Sequence, residues 1–460
     1  MNPAQAAAPA GTGEPPGPTV LVIGLRATGA AVVELFATDR AALLVVDDRI
    51  GVDDDAELAE RAAAAQGHGA AVHGPVEDWT AFFGRAAIDL VVPSPGVRPD
   101  HPAIVEARSR DIPVRSEIDI AAERINAPLV AITGTNGKTT VTELVTAMLE
   151  ASGLDVACGG NIGTPLVSLV PTSADVVVAE VSSFQLEFTT EAFRPAVAVL
   201  LNIDDDHLDW HGGRAAYAAA KAQVTAHQGA DAVFIYDVSD PAVVRIAEGS
   251  GAQRIPFGEP LGPVTLHDGR SVIDPAAMPR SLPHDRTNAL AAAEAAIAAG
   301  ANLDAIREVL RSYRTLPHRV ALIADHDGIV WIDDSKATNP HATRRAIDAF
   351  ASVVLCAGGL NKGLDLGTMI NPNDDRVRGI IAFGAAADEI VAAFGPRIPV
   401  EVARDMDDVV VRARAMARPG DTVLLSPGCA SFDAYRNYSE RGDDFARAVR
   451  SALATVEIRP

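Results

Sequence analysis

Lysine is the scarcest charged residue in this chain of 460 residues. It occurs only at Lys138, Lys221, Lys336 and Lys362, and arginine supplies the rest of the 39 basic residues. An ammonium group is a compact charge whose pKa and covalent chemistry can be tuned, whereas a guanidinium group is a permanently charged planar fork. The four lysines are therefore candidates for chemistry, although codon bias in a GC-rich genome would also explain their scarcity.

Cysteine is also scarce, and long apolar runs and a net positive charge are absent from the sequence. The three cysteines are too few for a disulfide framework and lack metal-site spacing. No apolar stretch approaches the roughly 20 residues of a membrane span, and the Ala-, Pro- and Gly-rich residues 1–18 predict a flexible tail rather than a signal peptide. A net charge of −22 argues against general nucleic-acid or membrane binding. We expect a cytoplasmic monomer with no nucleic acid partner and no membrane insertion.

Short apolar runs rich in β-branched residues alternate with Ala-rich helical stretches along the whole chain. Continuous apolar runs are typical of buried parallel strands, and the helices between them suit crossover connections. This pattern predicts three consecutive α/β domains, Rossmann-like at both ends. The motif TGTNGKTT, described next, predicts a P-loop-type ATPase in the centre. We place the boundaries at 19–116, 117–315 and 316–460. The predicted strands include residues 19–24, 42–48, 88–96, 174–183 and 196–204.

The most specific motif is TGTNGKTT, residues 133–140, which follows a predicted strand and opens a helix. The backbone N–H groups of such a loop and the helix dipole bind phosphate oxygens. Lys138 would reach the terminal phosphates, and Thr139 could bind Mg²⁺. The motif departs from a strict phosphate loop because Ile132 occupies the position of its first glycine.

Carboxylates and imidazoles follow two further predicted strands. Glu180 ends one of them, where a buried carboxylate needs a cation such as Mg²⁺. The loop at residues 201–212 collects four aspartates with His207 and His211 and suits a second metal or a general base. Read alone, a capped strand end and a solvated acidic loop also fit these residues. Lys221 lies on the next predicted helix, where a lysine is usually a surface residue.

The third predicted domain has three strand-end loops rich in cations and hydrogen-bond donors. WIDDSKATN ends at Asn339, AGGLNKG carries Lys362, and SPGCASFDAYRNY runs to Tyr438. Because the carboxyl ends of parallel strands meet at one edge of a sheet, these loops predict a site for an anionic second substrate.

Six spaced motifs resemble those of the Mur ligase family of peptidoglycan synthesis. They are TGTNGKTT, EVSSFQLE, LNI with the following DHLD, LPHR, DDSKATNP, and SP followed by CASFD, in this order. The resemblance extends from about Thr19 to near the C-terminus and is strongest to the D-glutamate-adding ligases. It implies that ATP phosphorylates the carboxylate of UDP-N-acetylmuramoyl-L-alanine and that D-glutamate attacks the acyl phosphate. It further implies Mg²⁺ at two sites.

The resemblance also implies roles for individual residues. Lys138, His207, Lys221 and Lys336 would be catalytic. One metal would bind Thr139 and Glu180, and the other His207 and a carbamylated Lys221. ATP would contact Gly134, Thr135, Asn136, Gly137, Lys138, Thr139, Thr140, Asn288, Arg319 and Asp334. The UDP substrate would contact Ala27, Thr28, Asp47, Asp48, Ser94, Gly96, Asn161 and His207. D-Glutamate would contact Thr338, Lys362, Ser431, Phe432 and Tyr438.

Two residues depart from the family pattern. Arg26 stands where many relatives have glycine, and Asp285 stands where relatives often have asparagine. Four alternatives are open at this point: a sister ligase for another amino acid, a folylpolyglutamate synthase-like ligase, a nucleotide-binding dehydrogenase, and a P-loop switch without ligase chemistry. The uridine-type first domain argues against the folate enzyme, and the first loop is not the GxGxxG of a dehydrogenase.

Overall fold

The computed structural model describes residues 17–52, 55–314, 316–371 and 373–454. The predicted flexible tail lies outside the described residues except for its last two positions. The chain divides into two compact units. The described part of the first runs to Ile125 and includes Gly159–Thr172 and Phe184–Phe193. The second comprises Asn126–Cys158, Ser173–Ser183 and the chain from Arg194 onward.

The first unit is built on a parallel sheet with the strand order β3-β2-β1-β4. Its central strand, TVLVI, is almost completely buried, as its β-branched sequence predicts. Successive strands are added on one side of β1 up to β3, and β4 is then added on its other side. Ligands of open α/β sheets bind at the carboxyl ends of the strands next to such a switch point. The strands are β1 (Thr19–Ile23), β2 (Ala42–Val46), β3 (Ala71–His73) and β4 (Leu90–Pro93); the helices are α1 (Ala27–Thr38), α2 (Ala56–Gly67), α3 (Trp79–Phe83), α4 (Pro102–Ser109) and α5 (Glu117–Arg124).

A buried carboxylate connects the later segments of this unit to α5. Glu117 is 1% exposed and accepts hydrogen bonds from the Val167 backbone N–H at 3.1 Å and from Gln185 Nε2 at 2.8 Å. Burial raises the pKa of Glu117 from 4.5 to about 7, and these hydrogen bonds offset only part of that effect. Ionisation of Glu117 around neutral pH therefore lowers the stability of the folded state.

Glu117→Gln is expected to remove a pH dependence of stability. The folded state binds a proton more tightly than the unfolded state, so wild-type stability falls as pH rises from about 4.5 through about 7. Relative to the variant, the wild type should lose up to about 3 kcal/mol across this window. Thermal or urea unfolding at pH 5, 6, 7 and 8 measures the difference. The exposed Glu60→Gln is the control, and parallel curves for all three proteins would contradict the assignment.

The second unit contains two larger sheets, and its first part runs from β5 to α12. The strand order is β10-β9-β8-β5-β7-β6, so β5 lies between β7 and β8 at the point where the order reverses. The strands are β5 (Leu129–Thr133), β6 (Val156–Gly160), β7 (Val176–Glu180), β8 (Val197–Leu200), β9 (Val233–Asp237), β10 (Gln253–Phe257), β11 (Val264–Thr265) and β12 (Ser271–Ile273); the helices are α6 (Lys138–Ala151), α8 (Leu208–His211), α9 (Arg214–Ala226), α10 (Pro241–Gly249), α11 (Pro283–Ala298) and α12 (Leu303–Ser312). The short helix α7 (Ser183–Leu186) follows β7 and belongs, except for Ser183, to the first unit.

The last part of the second unit forms a sheet with the order β13-β14-β18-β15-β16-β17. Its strands run parallel except β13, which pairs antiparallel with β14. The strands are β13 (Ala321–His326), β14 (Ile329–Asp333), β15 (Val353–Gly358), β16 (Val377–Phe383), β17 (Val400–Val402) and β18 (Thr422–Gly428); the helices are α13 (Pro340–Ile347), α14 (Ala387–Phe394), α15 (Met406–Met416) and α16 (Tyr438–Ala454). The described residues also form short 3₁₀ turns at Leu166–Leu169 in the first unit and at Pro275–Ala277 and Leu366–Met369 in the second.

The predicted fold class is confirmed: three parallel-stranded α/β layers follow one another along the chain. The sequence did not predict the antiparallel strand β13 or the hairpin β11–β12. Both are short or half-exposed, so they lack the continuous apolar run that identifies a buried strand. Within the described residues, no helix is both long and apolar enough to cross a bilayer.

Candidate active site

The loop between β5 and α6 has the form of a phosphate cradle. Gly137 caps α6 with a left-handed φ of 87°, and Gly134 has φ 156°. A Cβ atom on Gly137 would lie 2.7 Å from Asn288 Oδ1, so glycine is required here both for conformation and for space. The first N–H groups of α6 lack helical partners, and together with the helix dipole they favour an anion in front of the loop.

Two of the four lysines meet at one carbonyl oxygen of this loop. Lys138 Nζ donates to Gly134 O at 2.8 Å and to Thr135 O at 3.1 Å. Lys221 Nζ, from α9, donates to the same Gly134 oxygen at 2.8 Å. Lys221 is 1% exposed, so it is a buried group and not the surface residue that an isolated helical lysine usually is.

The electrostatics of the pair favour a neutral amine on Lys221. Burial lowers the pKa of Lys221 well below its ordinary value, and the charge of Lys138 lowers it further. Asp206 and Glu180 act in the opposite direction. Burial also lowers the pKa of Lys138. Two lysines and two carboxylates therefore form one charge cluster at the carboxyl edge of the sheet.

Glu180 has the position that the sequence predicted. It is the last residue of β7, it pairs in register with Ile132 of β5, and it is 2% exposed. Thr139 is the second residue of α6 and is also buried. A hydroxyl and a carboxylate oxygen are donors that Mg²⁺ prefers.

The loop after β8 packs against the phosphate loop. Thr135 Oγ1 accepts from the Asp204 backbone N–H at 2.9 Å and lies 3.0 Å from the Tyr217 hydroxyl. Asn202 exchanges hydrogen bonds with Asn136 at 2.8 and 3.1 Å. These bonds fix the shape of the cradle before any ligand binds.

His207 lies at the N-terminus of α8 with a left-handed φ of 51°. Its Nε2 is 3.6 Å from Asp206 Oδ2. Burial lowers the pKa of His207, Asp206 opposes this effect, and Lys362, Lys138 and Lys221 add to it. Burial thus favours the neutral imidazole, which is the form that binds metals. The charge of Lys221 thus acts on His207, and the predicted role of both residues at one metal ion stays a prediction.

The loop at residues 204–206 also contacts the start of α13. His341 Nδ1 lies 2.7 Å from Asp204 Oδ2 and 3.1 Å from Asn136 Nδ2. Asn339, the N-cap of α13, reaches Asp206 Oδ2 and Asn136 Oδ1, each at 3.4 Å. The phosphate loop is thus connected by side chains to the element that follows Thr338.

Arg319 and Asp334 lie beside this cluster. Burial is the main cause that lowers the pKa of Lys138 and Lys336, and the charge of Arg319 adds to the effect at both. Asp334 is buried, accepts from Ser426 Oγ at 2.8 Å, and has its pKa raised by burial to about 7. Asn288, on α11, lies against Gly137.

The three strand-end loops of the last sheet converge on one arginine. Arg441 of α16 is fully buried. Its guanidinium donates to Ser335 O at 2.8 Å and Ser335 Oγ at 3.0 Å, to Cys429 O at 3.1 Å, and to Gly358 O at 3.4 Å. Arg441 therefore ties together the loops that carry Lys336, Lys362 and Ser431.

The residues predicted for D-glutamate differ in exposure. Ser431 is 2% exposed, Thr338, Lys362 and Tyr438 are partly buried, and Phe432 is 67% exposed. Lys336 Nζ lies 3.9 Å from the centre of the Tyr438 ring, which is a cation–π distance. The side chain of Phe432 is thus exposed to solvent, whereas the other four side chains are partly or fully buried.

Of the residues predicted for the UDP substrate, His207 belongs to the second unit and the others belong to the first. Ser94 Oγ donates to Gly24 O at 2.8 Å, which joins the loops after β1 and β4. Asp47 accepts from the Leu25 N–H at 2.8 Å and from Arg49. Burial opposes ionisation of Asp47, but these hydrogen bonds lower its pKa overall. Asp47 therefore shapes the loop, while Ala27, Asp48, Gly96 and Asn161 are exposed and Thr28 is partly buried.

Sequence reasoning missed three residues of the second unit. Tyr217 is 2% exposed, and its ring centre lies 4.8 Å from Lys221 Nζ. Its spacing of four residues from Lys221 on a predicted helix was the available signal. His341 and Arg441 gave no such signal, because only the tertiary structure shows what they contact.

In the part of the chain that the structure describes, no three or more His, Cys, Asp or Glu side chains are grouped to hold a metal ion.

Comparisons with known proteins agree with this architecture. Three family models match the chain: a MurD-like Mur ligase N-terminal domain at 18–116, a Mur ligase middle domain at 132–260, and a Mur ligase glutamate ligase domain at 318–429. A protein named UDP-N-acetylmuramoylalanine–D-glutamate ligase from Frankia casuarinae is 41% identical, covering 94% of both chains. One of the same name from Desulfosudis oleivorans is 38% identical, covering 94% of this chain and 96% of its own.

A solved structure shares the fold. A pseudomurein peptide ligase type C from Methanothermus fervidus aligns with a TM-score of 0.58 and 15% identity over 95% of this chain and 100% of its own. With the three family models and relatives similar over nearly the whole length, the chain belongs to the Mur ligase family.

Proposed function

We propose that this protein is an ATP-dependent amide ligase that joins D-glutamate to UDP-N-acetylmuramoyl-L-alanine in peptidoglycan precursor synthesis. The observation that carries the proposal is the placement of the four lysines, in two pairs, at the loops that end the parallel strands of the second unit. Lys138 and Lys221 meet at the phosphate loop, and Lys336 and Lys362 lie in the loops tied by Arg441. The relatives named above are ligases for D-glutamate.

The reaction has two steps in this proposal. The alanine carboxylate of the UDP substrate attacks the γ-phosphorus of ATP, forming an acyl phosphate and releasing ADP. The amine of D-glutamate then attacks the acyl carbon, and the tetrahedral intermediate collapses with loss of inorganic phosphate. Lys138 and the Gly134–Thr140 loop hold the phosphates, and this positioning is the main source of catalysis in phosphoryl transfer.

We assign the other residues by their position around the transferred group. Asn288, Arg319 and Asp334 hold the nucleotide, and Arg319 adds positive charge near Lys138. Lys336 faces the reacting phosphate or the incoming amino acid, whose carboxylates would meet Lys362, Thr338 and Ser431, with Phe432 and Tyr438 beside them. The first unit would hold the UDP moiety through residues 27–28 and 47–48 and through Ser94, Gly96 and Asn161. We keep the three functional domains at 19–116, 117–315 and 316–460.

Mg²⁺ fits the donors at the phosphate loop. Thr139 and Glu180 would hold one ion, and His207 with a carbamylated Lys221 would hold a second. The oxygen-rich donors suit a hard cation, and the buried carboxylate of Glu180 calls for positive charge beside it. Bound there, the ions would neutralise the phosphate charge that develops during transfer.

Phosphate release separates this function from the alternatives. Release from ATP should require both UDP-N-acetylmuramoyl-L-alanine and D-glutamate, and it should be coupled one-to-one to formation of the amide product. A coupled phosphate assay with each substrate omitted in turn, and with L-alanine or a diamino acid in place of D-glutamate, makes the test. Equal release with those amino acids would reject D-glutamate specificity, and release without any amino acid would favour a nucleotide switch.

A further inference from the structure

Arg280 binds a neighbouring carboxylate through two of its nitrogens. Its Nε donates to Asp285 Oδ2 at 2.7 Å, and its Nη2 donates to Asp285 Oδ1 at 2.6 Å. Asp285 is 7% exposed and also accepts from the Leu282 N–H at 3.0 Å at the start of α11. His284 Nε2 lies 3.5 Å from the same carboxylate. The pair is thus fixed to the helix that carries Asn288.

The remaining nitrogen of Arg280 binds a strained segment. Its Nη1 donates to Arg319 O and to Val320 O, each at 2.8 Å. His318 and Val320 have left-handed φ values of 62° and 50°. Such values are rare for residues with side chains, and most of all for β-branched valine, so they persist only where the surroundings enforce them.

Other contacts hold the same segment from the last sheet. His318 Nδ1 lies 2.6 Å from Asp333 Oδ2, and the Val320 N–H donates to Asp334 Oδ1 at 3.3 Å. Arg280 contacts the same segment from another part of the chain, just before α11 begins. Between the two strained residues is Arg319, whose charge acts on Lys138 and Lys336.

We propose that Arg280, oriented by Asp285, is a positioning residue that holds His318–Val320 in its strained conformation and thereby directs Arg319 to the nucleotide. This inference rests on the proposed function, in which Arg319 binds ATP. Asp285, the departure from the family pattern, then has a defined partner: a carboxylate accepts two parallel bonds from guanidinium, which an asparagine amide cannot do.

Arg280→Lys and Asp285→Asn test the proposal. Lysine at position 280 keeps the positive charge but cannot donate the two parallel hydrogen bonds of a guanidinium group. Asparagine at position 285 keeps the shape of the side chain, but one carboxylate oxygen is replaced by an NH₂ group that cannot accept a hydrogen bond from the guanidinium. Each should raise KM for ATP about tenfold, as loss of a charge-assisted hydrogen bond does, with a smaller change in KM for D-glutamate. Arg270→Lys is the matched control, because Arg270 forms a similar pair with Asp268 at the surface.

A double-mutant cycle shows whether Arg280 acts through Arg319. In the Arg319→Ala background, Arg280→Lys should cause less than about a twofold further rise in the dissociation constant for ADP, measured by calorimetry without turnover. If the two substitutions raised the dissociation constant for ADP independently, so that their fold-changes multiplied, the proposal would be overturned. It would also be overturned if Arg280→Lys lowered the melting temperature but left the affinities for ATP and ADP unchanged. D-glutamate-dependent phosphate release by the wild type and by Arg270→Lys tests the proposed function separately, so the two failures are distinguishable.

Discussion

Lys221→Arg is expected to lower ligase activity by about 10³-fold or more, despite conserving the positive charge. In the proposed mechanism, neutral Lys221 Nζ attacks CO₂, forms an N–C bond and releases a proton, so that an amine becomes a carboxylate-like metal ligand. Burial and the nearby Lys138 lower the pKa of Lys221, which favours the neutral amine. Arginine keeps its proton at any accessible pH and cannot form this carbamate. Phosphate release under saturating substrates measures the loss.

Rescue of a shortened side chain distinguishes a carbamate from a simple cation. Lys221→Ala should be inactive alone and partly active with acetate or propionate, which would fill the vacated space with a carboxylate. Lys138→Ala is the matched control, because Lys138 donates to the same Gly134 oxygen and is proposed to act as a cation. Undiminished activity in Lys221→Arg, or equal rescue of both alanine variants, would contradict the carbamate.

Lys138→Met is expected to lower kcat/KM for ATP by about 10²–10³-fold, because it removes a preorganised cation from the developing phosphate charge. Methionine keeps the length of the side chain and its packing, while the lost ammonium group leaves Gly134 O with its bond from Lys221. Steady-state kinetics with varied ATP measure the effect.

The fold should survive this substitution. Burial already disfavours the charged form of Lys138, so the melting temperature of Lys138→Met should stay within a few degrees of the wild type. Glu150→Gln, an exposed change on the same helix, serves as the control for α6. Near-normal turnover by a well-folded Lys138→Met protein would show that the phosphates are held elsewhere.

Sequence patterns predicted the parts of the fold that are buried on both faces. Runs such as TVLVI and VVVAE are almost wholly apolar, and the structure places each of them inside a parallel sheet with a strand on either side. β13 was missed because ALIADH is half-exposed and pairs only at one edge. Its existence depends on its pairing with β14, which no local pattern records.

The candidate site was predictable where a residue sits at a strand end or a helix start. Glu180 and Lys138 are such residues, and the motif fixes their place. Lys221 was notable in the sequence only because lysine is rare in this chain. Its burial results from the packing of α9 against β5 and β8. The sequence could not predict the contacts of His341 and Arg280, because each contacts a segment that is distant along the chain.

The convergence on Arg441 has a consequence for affinity. A flexible loop loses conformational freedom when it closes on a ligand, and this loss weakens binding. The three loops that meet at Arg441 are held by its guanidinium in the protein alone. The entropy of ordering the backbone at Ser335, Gly358 and Cys429 is therefore lost during folding, so a ligand that binds these loops does not bear that cost again.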